Sequence, residues 1–576
     1  MNKEWKVLAK APLELKSKFP EIPPVILQLL YNRKLSEKER IDEFLNPDYG
    51  KHTHDPYLFK DMKKAVKRIG KAIQNKEKIV VHGDYDADGV CGSVILYDTL
   101  KTLGASVNVY LPHREKEGYG MNPKTVEELA KQGTNLIITT DCGISNQAEV
   151  ALANSFSIDV IITDHHEPPE NLPKAHAVLN PHCKGESYPY RFLVGAGVAF
   201  KLASALIKEA TKRSQPPFPE GYEKWLLDLV AISTVTDVAP LRDENRALVK
   251  YGLLVLKKTR RPGLKALLSV INPIRGRIDT FTIGYQIGPR LNAAGRIDHA
   301  NLAFELLTAE SEQTAKALAS RLHLNNQERQ KATDSLMQKV KVQLESFTEE
   351  QKFIFAVGQE WPAGIIGLVA GKIADEFYRP VLILTEQNGK ITGSGRSIAE
   401  FNIVKALEKN QIYCERWGGH AQACGFTLKK VELLEKFRFD FQKIVERELA
   451  EKELTPSVEI EAEVTIEEVN WEFYDYLEKF TPFGEANPKP LFVAYQAKLL
   501  DWQKVGDKGQ HLKLLLEQNG NAKKTIGFNF GAWADRLSIG DLIDIVFEVG
   551  VNEWNGNREL EMKIIDIRKS NNEKPN

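Results

Sequence analysis

Cysteine is scarce in this sequence, and its spacing excludes two kinds of framework. The 576 residues include five cysteines, and no two of them form a CxxC pair: Cys91, Cys142, Cys183, Cys414 and Cys424. An odd, scattered set of this kind argues against a disulfide scaffold and against a structural zinc site. We therefore expect a protein of the reducing cytoplasm.

Long apolar runs are also missing. Charged residues interrupt the first twenty positions, and no later stretch is long and apolar enough to span a bilayer, so we expect neither secretion nor membrane insertion. No GxxxxGK[ST] occurs, which argues against a nucleotide-triphosphatase phosphate loop. With 42% hydrophobic and 27% charged residues, the chain is typical of a globular protein with about three to four domains.

The sequence has no net charge, because 78 Lys and Arg balance 78 Asp and Glu. The balance hides two blocks. Between Arg246 and Arg296 there are eleven basic residues against Asp279 alone, and between Glu451 and Glu485 acids dominate. The basic block is compatible with contact to phosphate and equally with an ordinary solvated surface.

The hydrophobic pattern predicts an α/β protein with two α/β domains, a long connecting helix, either continuous or broken, and a C-terminal antiparallel β-barrel. Short apolar runs alternate with helical stretches from Lys78 to about Ser269, which is typical of a parallel sheet. From Thr455 the pattern changes to period two, as in a small barrel. The predicted boundaries are 1–77 for an N-terminal extension, 78–300 and 351–450 for the α/β domains, 301–350 for the helix and 455–570 for the barrel.

Potential metal ligands follow three of the predicted strands. The strand Lys78–His82 runs into GDYDADG, the strand Asn135–Thr140 is followed by Asp141, and the strand Ile158–Thr163 is followed by Asp164, His165 and His166. Open parallel sheets place their sites at the carboxyl ends of strands. A further acid, Asp237, follows the apolar stretch Leu226–Thr236.

Carboxylates and imidazoles at this density predict a site for divalent cations. A single Asp after a strand is more often a helix cap or a turn former, but several on successive strands would repel one another unless cations neutralised them. Hard oxygen ligands with imidazole suit Mn²⁺ or Mg²⁺, and bridging carboxylates suit two ions ~3.5–4 Å apart. Cys142 lies among these ligands and is interpreted as a small core residue.

The motifs resemble a known family. HGDYDADGV, TTDCGIS, TDHH and the Asp237 segment STVTDVAPL resemble the DHH phosphoesterase superfamily. WPAGIIGLVAGKIAD, GSGRS and GGHAQACG resemble the domain associated with it, here called the DHH-associated domain. GPRLNAAGRI, TPFGEANPKPLF and the terminal barrel, which resembles an OB-fold, are similar to the RecJ family of single-strand-specific exonucleases. The resemblance covers about Lys78 to Arg568.

The resemblance implies roles for individual residues. It implies two Mn²⁺ or Mg²⁺ ions, with Asp141 as the bridging ligand, His166 directed to the scissile phosphate, and Asp84 either a ligand or a hydrogen-bond acceptor behind the ligands. The implied metal ligands are His82, Asp86, Asp88, Asp141, His165 and Asp237, and the implied catalytic set is Asp84, Asp86, Asp88, Asp141, His165, His166 and Asp237.

The same resemblance implies substrate contacts outside the metal site. Arg296 and Gln327 are implied to contact the strand, Ser394, Arg396, Gly419 and His420 to bind phosphate, and Arg114 and Tyr119 to join Ser394 and Arg396 around a terminal 5′-phosphate. Without its context, GSGRS is also compatible with a plain turn. Arg114 is also compatible with an ordinary surface position.

We therefore predict a metal-dependent exonuclease that degrades single-stranded DNA to mononucleotides with 5′→3′ polarity in repair and recombination. Polarity and partners, a helicase and a single-strand-binding protein, come from the resemblance. One alternative is a DHH phosphodiesterase for short oligonucleotides or cyclic dinucleotides. Another is a non-catalytic DNA-binding homologue, against which the complete set of acids argues.

Overall fold

The chain forms two compact units. The structure is a computed structural model that describes residues 3–114, 116–212, 217–273, 276–348, 350–554 and 557–570. The larger unit consists of Lys3–Pro112, Tyr119–Gly288 and the described part of Ser457–Asn576, and the smaller unit of His113–Gly118 and Pro289–Pro456. Among the described residues, no helix combines the length and the apolar character needed to cross a membrane.

The N-terminal region of the larger unit is mainly helical. Its helices carry buried apolar side chains such as Ile26, Leu29 and Leu30, so they need a partner surface. The elements are β1 (Glu4–Val7), α1 (Leu13–Lys18), α2 (Pro24–Asn32), α3 (Lys38–Leu45) and α4 (Met62–Gln74).

A five-stranded parallel sheet of order β3-β2-β4-β5-β6 follows in the larger unit. Its strands are β2 (Lys78–Gly83), β3 (Ser106–Tyr110), β4 (Leu136–Thr140), β5 (Asp159–Thr163) and β6 (Ala177–Leu179); the helices are α5 (Ala87–Thr102), α6 (Pro123–Lys131), α7 (Gln147–Ser155), α8 (Gly195–Ala210), α9 (Leu227–Thr236), α10 (Asp243–Lys257) and α11 (Pro262–Ile271). Strands β2 and β4 are almost entirely buried, because helices cover both faces of such sheets. The predicted parallel α/β domain is confirmed.

The smaller unit contains a mixed sheet of order β10-β11-β9-β8-β7, in which only β7 and β8 run parallel. Its elements are α12 (Gly288–Ile297), α13 (Asn301–Leu307), α14 (Glu312–Gln343), β7 (Ile354–Gln359), α15 (Ala363–Phe377), β8 (Val381–Gln387), β9 (Lys390–Arg396), α16 (Ile403–Lys409), β10 (Cys414–His420), β11 (Ala423–Leu428) and α17 (Leu434–Glu448). The predicted connecting helix is broken, and Ser311 caps its long second part by accepting a hydrogen bond from the Thr314 main chain.

The C-terminal strands close into a barrel in which β14, β15, β16, β18 and β17 pair in turn and β17 returns to β14. The elements are β12 (Ser457–Ile460), β13 (Ala462–Glu463), α18 (Trp471–Lys479), β14 (Phe492–Val505), β15 (His511–Gln518), β16 (Asn521–Gly527), β17 (Leu542–Trp554) and β18 (Asn557–Lys569). The predicted barrel is confirmed, but it is not purely antiparallel, because β16 pairs parallel with β18. A period-two pattern is the same in both kinds of pairing and does not distinguish them.

The N-terminal helices and the barrel share one hydrophobic core. Ile26, Leu29 and Leu30 pack in the same cluster as barrel residues such as Phe492 and Phe547, and β1 pairs with β12. The N-terminal residues are therefore part of the barrel's core, although more than 400 residues separate them along the chain.

Two arginines of the basic block have structural partners. Arg246 is buried, and its guanidinium donates to five main-chain carbonyls, those of Phe44, Lys479, Phe480, Thr481 and Pro482. Burial and the nearby Arg33 lower its pKa to about 9. Arg261 donates to Asp98 at 2.7 Å. Arg290 and Arg296 belong to the smaller unit, so the block is divided between the two units.

Candidate metal centre

The three acid- and histidine-bearing strands lie side by side in the sheet. Strand β4 pairs with β2 on one side and with β5 on the other. His82 is the fifth residue of β2, Asp141 follows β4, and His165 lies two residues beyond β5. The structure therefore brings these side chains to one edge, as the sequence predicted.

Asp86 and Asp88 lie at the N-terminus of α5. Asp86 caps this helix, and its Oδ1 accepts hydrogen bonds from the main chains of Asp88 at 3.0 Å and Gly89 at 3.2 Å. The Asp88 carboxylate is buried and accepts from the main chains of Gly195 and Ala196 at 2.7 Å each. These donors are the first residues of α8, where unpaired N–H groups favour negative charge.

Asp141 occupies a tightly enclosed position. It is buried, and its φ of 61° lies in the left-handed region, where backbone strain is typical of functional sites. A Cβ at position 195 would lie 2.5 Å from the Cβ of Asp141. Gly195 is therefore required for α8 to reach both Asp88 and Asp141.

His165 and Asp237 complete the acidic cluster. Nε2 of His165 lies 3.1 Å from Oδ1 of Asp141, 3.6 Å from Oδ2 of Asp88 and 3.8 Å from Oδ2 of Asp237. Asp237 directly follows helix α9, at its C-cap position. The apolar stretch before it is thus a helix, and a helix end supplies the fourth acid.

Asp164, a potential ligand at a strand end that was left out of the predicted metal and catalytic sets, orients His166. Its buried carboxylate lies 2.8 Å from Nδ1 of His166 and accepts from the main chain of Ile144 at 2.9 Å. The hydroxyl of Tyr119 lies 3.0 Å from the same His166 nitrogen and donates to the main-chain carbonyl of Asp141 at 3.1 Å. The signal for Asp164 was its place in TDHH, but only the contacts show its role.

The electrostatics of the cluster call for positive charge. Burial, followed by the charges of neighbouring carboxylates, raises the pKa of Asp141 well above its usual range and that of Asp237 to about 8. Burial lowers the pKa of His165, which keeps its imidazole neutral, the form that binds a metal. For His166, burial is outweighed by Asp164, and its pKa rises to about 9.

The donor atoms fit divalent cations. Three groups have ligand atoms within 4.8 Å of one another: Asp84 with Asp86 and Asp141, Asp88 with His165 and Asp237, and Asp141 with His165 and His166. Asp141 is shared by two of the groups, as a bridging ligand would be. His82 belongs to none of them; it is fully buried, and its Nδ1 lies 3.8 Å from Sγ of Cys142. Cys142 is itself buried, in agreement with its interpretation as a core residue.

Ser394 and Arg396 lie on a strand rather than in a turn. Along β9 the two residues alternate with glycines, and Nη1 of Arg396 donates to the Ser394 hydroxyl at 3.2 Å. A Cβ at Gly367 in α15 would lie 2.9 Å from that hydroxyl, so the helix packs closely over this face. Burial lowers the pKa of Arg396, and no carboxylate among the described residues contacts its guanidinium.

Gly419 and His420 are the last two residues of β10, which belongs to the same sheet as β9. The Cα atoms of His420, Ala423 and Arg396 are successive partners across β10, β11 and β9. The φ of Gly419 is 145°, and a Cβ there would lie 2.2 Å from the Ala423 carbonyl oxygen. The four predicted phosphate-binding residues thus lie on β9 and β10, the two strands that flank β11.

The remaining predicted contact residues lie on other elements than β9 and β10. Arg296 in α12 donates to the Gly364 carbonyl at 2.8 Å. Gln327 is exposed on α14 with Nε2 3.1 Å from Nε2 of His323. Arg290 lies 3.1 Å from the other nitrogen of that ring, and neither Arg290 nor His323 was among the predicted residues. Arg114 is half-buried in the smaller unit, whereas Tyr119 belongs to the larger one.

The barrel aromatics are divided between core and surface. Phe492 is fully buried, and Phe483, Trp502 and Phe530 pack against the core. Phe528 is 46% exposed and has Lys563 Nζ 5.6 Å from its ring centroid. The side chain of Trp554 lies outside the described residues. Exposed Phe528 is therefore the best candidate for base stacking.

Three family models match the chain in order. They are the DHH family N-terminal domain over residues 78–234, the DHHA1 domain over 350–447 and the RecJ OB domain over 460–566. These assignments agree with the parallel sheet, the mixed sheet and the closed barrel.

Curated relatives and solved structures extend the match over nearly the whole chain. The single-stranded-DNA-specific exonuclease RecJ of Bacillus subtilis (strain 168) is 37% identical over 95% of this chain and 68% of the relative, and that of Escherichia coli (strain K12) is 32% identical over 95% and 96%. The crystal structure of RecJ with Mn²⁺ from Thermus thermophilus superposes with a TM-score of 0.83 at 28% identity, covering 99% of this chain and 80% of that one. This chain belongs to the RecJ family.

Proposed function

We propose that the protein is a divalent-metal-dependent exonuclease that hydrolyses single-stranded DNA from the 5′ end and releases mononucleotides. The observation that carries the proposal is the position of Asp141, which is shared by two groups of potential ligands at the carboxyl edge of the sheet. The single-stranded-DNA-specific exonucleases named above support the substrate class. A RecJ structure with Mg²⁺, also from Thermus thermophilus, supports either cation.

The predicted ligands of the two ions are Asp86, Asp88, Asp141, His165, Asp237 and His82, with Asp84 close enough to Asp86 and Asp141 to take part. When bound, Mn²⁺ or Mg²⁺ ions polarise a phosphoryl oxygen and supply a hydroxide-like nucleophile at neutral pH. The residues of this chain hold the ligand carboxylates in fixed orientations. Because Asp88 accepts two hydrogen bonds from α8, its carboxylate is held in one position before substrate arrives.

His166 is suited to contact the scissile phosphate. Its Nδ1 lies 2.8 Å from Asp164, which fixes the ring and directs Nε2 away from that carboxylate. With a pKa of about 9, the ring is protonated at neutral pH, so Nε2 can donate to a phosphoryl oxygen. Tyr119 holds the same ring from the other side.

The 5′→3′ polarity comes from the family resemblance, and a pocket for the terminal 5′-phosphate is proposed to serve it. Ser394, Arg396 and Arg114, all of the smaller unit, are proposed to bind the terminal 5′-phosphate. Arg396 supports this role because its guanidinium is half-buried and contacts no carboxylate of the described residues, so an anion has a site without displacing an ion pair. Gly419 and His420 extend the same face, and Arg296 and Gln327 are proposed to contact the strand farther along.

We also propose that this exonuclease activity serves recombination and repair. An enzyme confined to single strands depends on unwound DNA, which a helicase produces and a single-strand-binding protein keeps open. These two proteins are the proposed functional partners, and a reducing cytoplasm is the proposed location, in agreement with five free cysteines.

Digestion of 5′-labelled and 3′-labelled single strands side by side with Mn²⁺ tests the proposal. We expect immediate release of the 5′ label as a mononucleotide and late release of the 3′ label. Early release of the 3′ label would contradict the polarity. Cleavage of dinucleotides or cyclic dinucleotides without degradation of long strands would favour the phosphodiesterase, and no cleavage would favour the non-catalytic homologue.

A further inference from the structure

The loop of residues 481–487, TPFGEAN, has no role in the proposed chemistry, although it belongs to one of the family motifs. It joins α18 to the barrel strand β14. Every main-chain carbonyl from Lys479 to Ala486 accepts a hydrogen bond. Buried Asn487 donates to three of these carbonyls at 2.8–3.1 Å through its side-chain amide and its main-chain N–H. Hydrogen bonds at every position hold the loop in one conformation.

Several donors to this loop lie a few positions after the metal-site residue Asp237. The main-chain N–H of Leu241 and Nε of Arg242 each donate to a carbonyl of the loop at 2.8 Å. Arg246 donates to four consecutive carbonyls at and just before the start of the loop. A Cβ at Gly484 would lie 2.6 Å from Cδ1 of Leu241, so the loop and the segment after Asp237 are in close contact.

The turn between Asp237 and Leu241 has a strained backbone. The φ of Val238 is 56°, which is an outlier for a β-branched residue. Such a conformation persists only where the surrounding structure imposes it. On one side the turn is anchored in α9, because the Asp237 N–H donates to the Ser233 carbonyl at 2.9 Å. On the other side the 481–487 loop holds the turn through Leu241.

A second connection runs from the loop to the helix that carries Asp237. The hydroxyl of Thr280 donates to the Phe483 carbonyl at 2.7 Å. A short helical segment leads from there to Gly288, where a Cβ would lie 2.3 Å from Cγ2 of Thr236 in the last turn of α9. The residues before and after Asp237 are therefore both connected to the same loop.

We infer that the 481–487 loop is a positioning element for Asp237, with Arg242 and Thr280 as the positioning side chains that connect the two. The inference rests on the proposed function, in which Asp237 is a metal ligand. The loop keeps the Asp237 carboxylate beside His165, whose Nε2 lies 3.8 Å from it. Because the loop leads directly into β14, it also connects the barrel to the metal site.

Calorimetric titration of the full chain with Mn²⁺, in the absence of DNA, tests the role of Arg242. We expect Arg242→Ala to weaken Mn²⁺ binding about tenfold, as is typical when a group that orients a ligand is lost. The Mn²⁺ concentration needed for half-maximal cleavage should rise in parallel, and KM for a short strand should change little.

The matched control is Arg379→Ala in the smaller unit. Arg379 also donates to main-chain carbonyls, those of Gln351 at 3.0 Å and Tyr378 at 2.9 Å. Its loss should lower the thermal stability and leave the Mn²⁺ affinity unchanged. If the control weakens Mn²⁺ binding as much as Arg242→Ala does, general destabilisation explains the effect and the inference is wrong.

The second connection is tested by a pair of conservative variants. Thr280→Val removes the hydroxyl that donates to the Phe483 carbonyl and keeps the shape of the side chain, whereas Thr280→Ser keeps the donor. We expect weaker Mn²⁺ binding in Thr280→Val and wild-type affinity in Thr280→Ser. Equal loss in both variants would show that packing at this position matters and the hydrogen bond does not.

A double-mutant cycle determines whether Arg242 acts through Asp237. Asp237→Ala removes the carboxylate and keeps the ligand group around Asp141, so adding Arg242→Ala to it should weaken Mn²⁺ binding no further. A further tenfold loss would overturn the inference. Unchanged Mn²⁺ affinity in both Arg242→Ala and Thr280→Val would overturn this inference alone, whereas absence of Mn²⁺ binding by the wild type would overturn the proposed function with it.

Discussion

The two sheets of this protein have opposite electrostatic deficits. At the carboxyl edge of the parallel sheet, carboxylates are so close that burial and mutual repulsion raise the pKa of Asp141 and Asp237. On β9 of the mixed sheet, burial lowers the pKa of Arg396, and no described carboxylate compensates. Each deficit favours a ligand of opposite charge, cations in the first region and an anion in the second. Together they correspond to the two needs of a phosphodiesterase, metal ions and a phosphate anchor.

Removing the Asp141 carboxylate should abolish catalysis at the carboxyl edge of the parallel sheet. For Asp141→Ala we expect the turnover number to fall about a thousandfold or more, because the carboxylate shared by two ligand groups is lost. Mn²⁺ titration by calorimetry should show weaker binding, while affinity for a long single strand changes little. Glu167→Ala is the control, since this neighbouring side chain is 82% exposed. Substantial Mn²⁺-dependent turnover in Asp141→Ala would contradict the assignment.

Crowding the same region without changing charge should have the next largest effect. Gly195→Ala would place a Cβ 2.5 Å from that of Asp141, so we expect about a hundredfold loss of turnover and a destabilisation of about 1–3 kcal/mol. Gly197→Ala in the same helix is the control, because its Cβ would meet Leu193 and Val194 at ordinary contact distances. Equal activity of the two variants would show that the approach of α8 to Asp141 is not needed.

The second region is tested by the chemistry of the DNA end. Arg396→Ala should lower kcat/KM on 5′-phosphorylated strands about tenfold more than on 5′-hydroxyl strands, because a charge-assisted contact is lost only from the former. Lys390→Ala, an exposed lysine of the same strand, should affect both alike. An equal loss on both termini in Arg396→Ala would assign this arginine to general phosphate binding or to structure.

The smallest effect is expected at the barrel, which belongs to neither region. Phe528→Ala should weaken binding of long strands about fivefold, in the range of one lost base stack, and should not alter cleavage of very short ones. Phe439→Ala, which removes another exposed ring, in α17, is the control for loss of a surface aromatic. Deleting the barrel is a poor test, because its core includes Ile26, Leu29 and Leu30, which deletion would expose.

The sequence alone determined where the strands lie along the chain, which residues follow them and which chemistry those residues offer. Strand and helix patterns are local, and acids after successive parallel strands necessarily meet at one edge. The motifs then predicted Asp141, His165 and Asp237 together, as the structure places them.

Contacts between distant segments were decided only by the tertiary structure. The hydrogen bond from Gly195 to Asp88 spans 107 positions, the Arg246 guanidinium binds carbonyls more than 230 positions away, and β16 pairs parallel with β18. No local pattern encodes such partners, because buried polar groups are satisfied by whichever donors packing brings near. Asp164 illustrates the difference: the sequence places it beside His166, and only the fold buries its carboxylate and aims it at the ring.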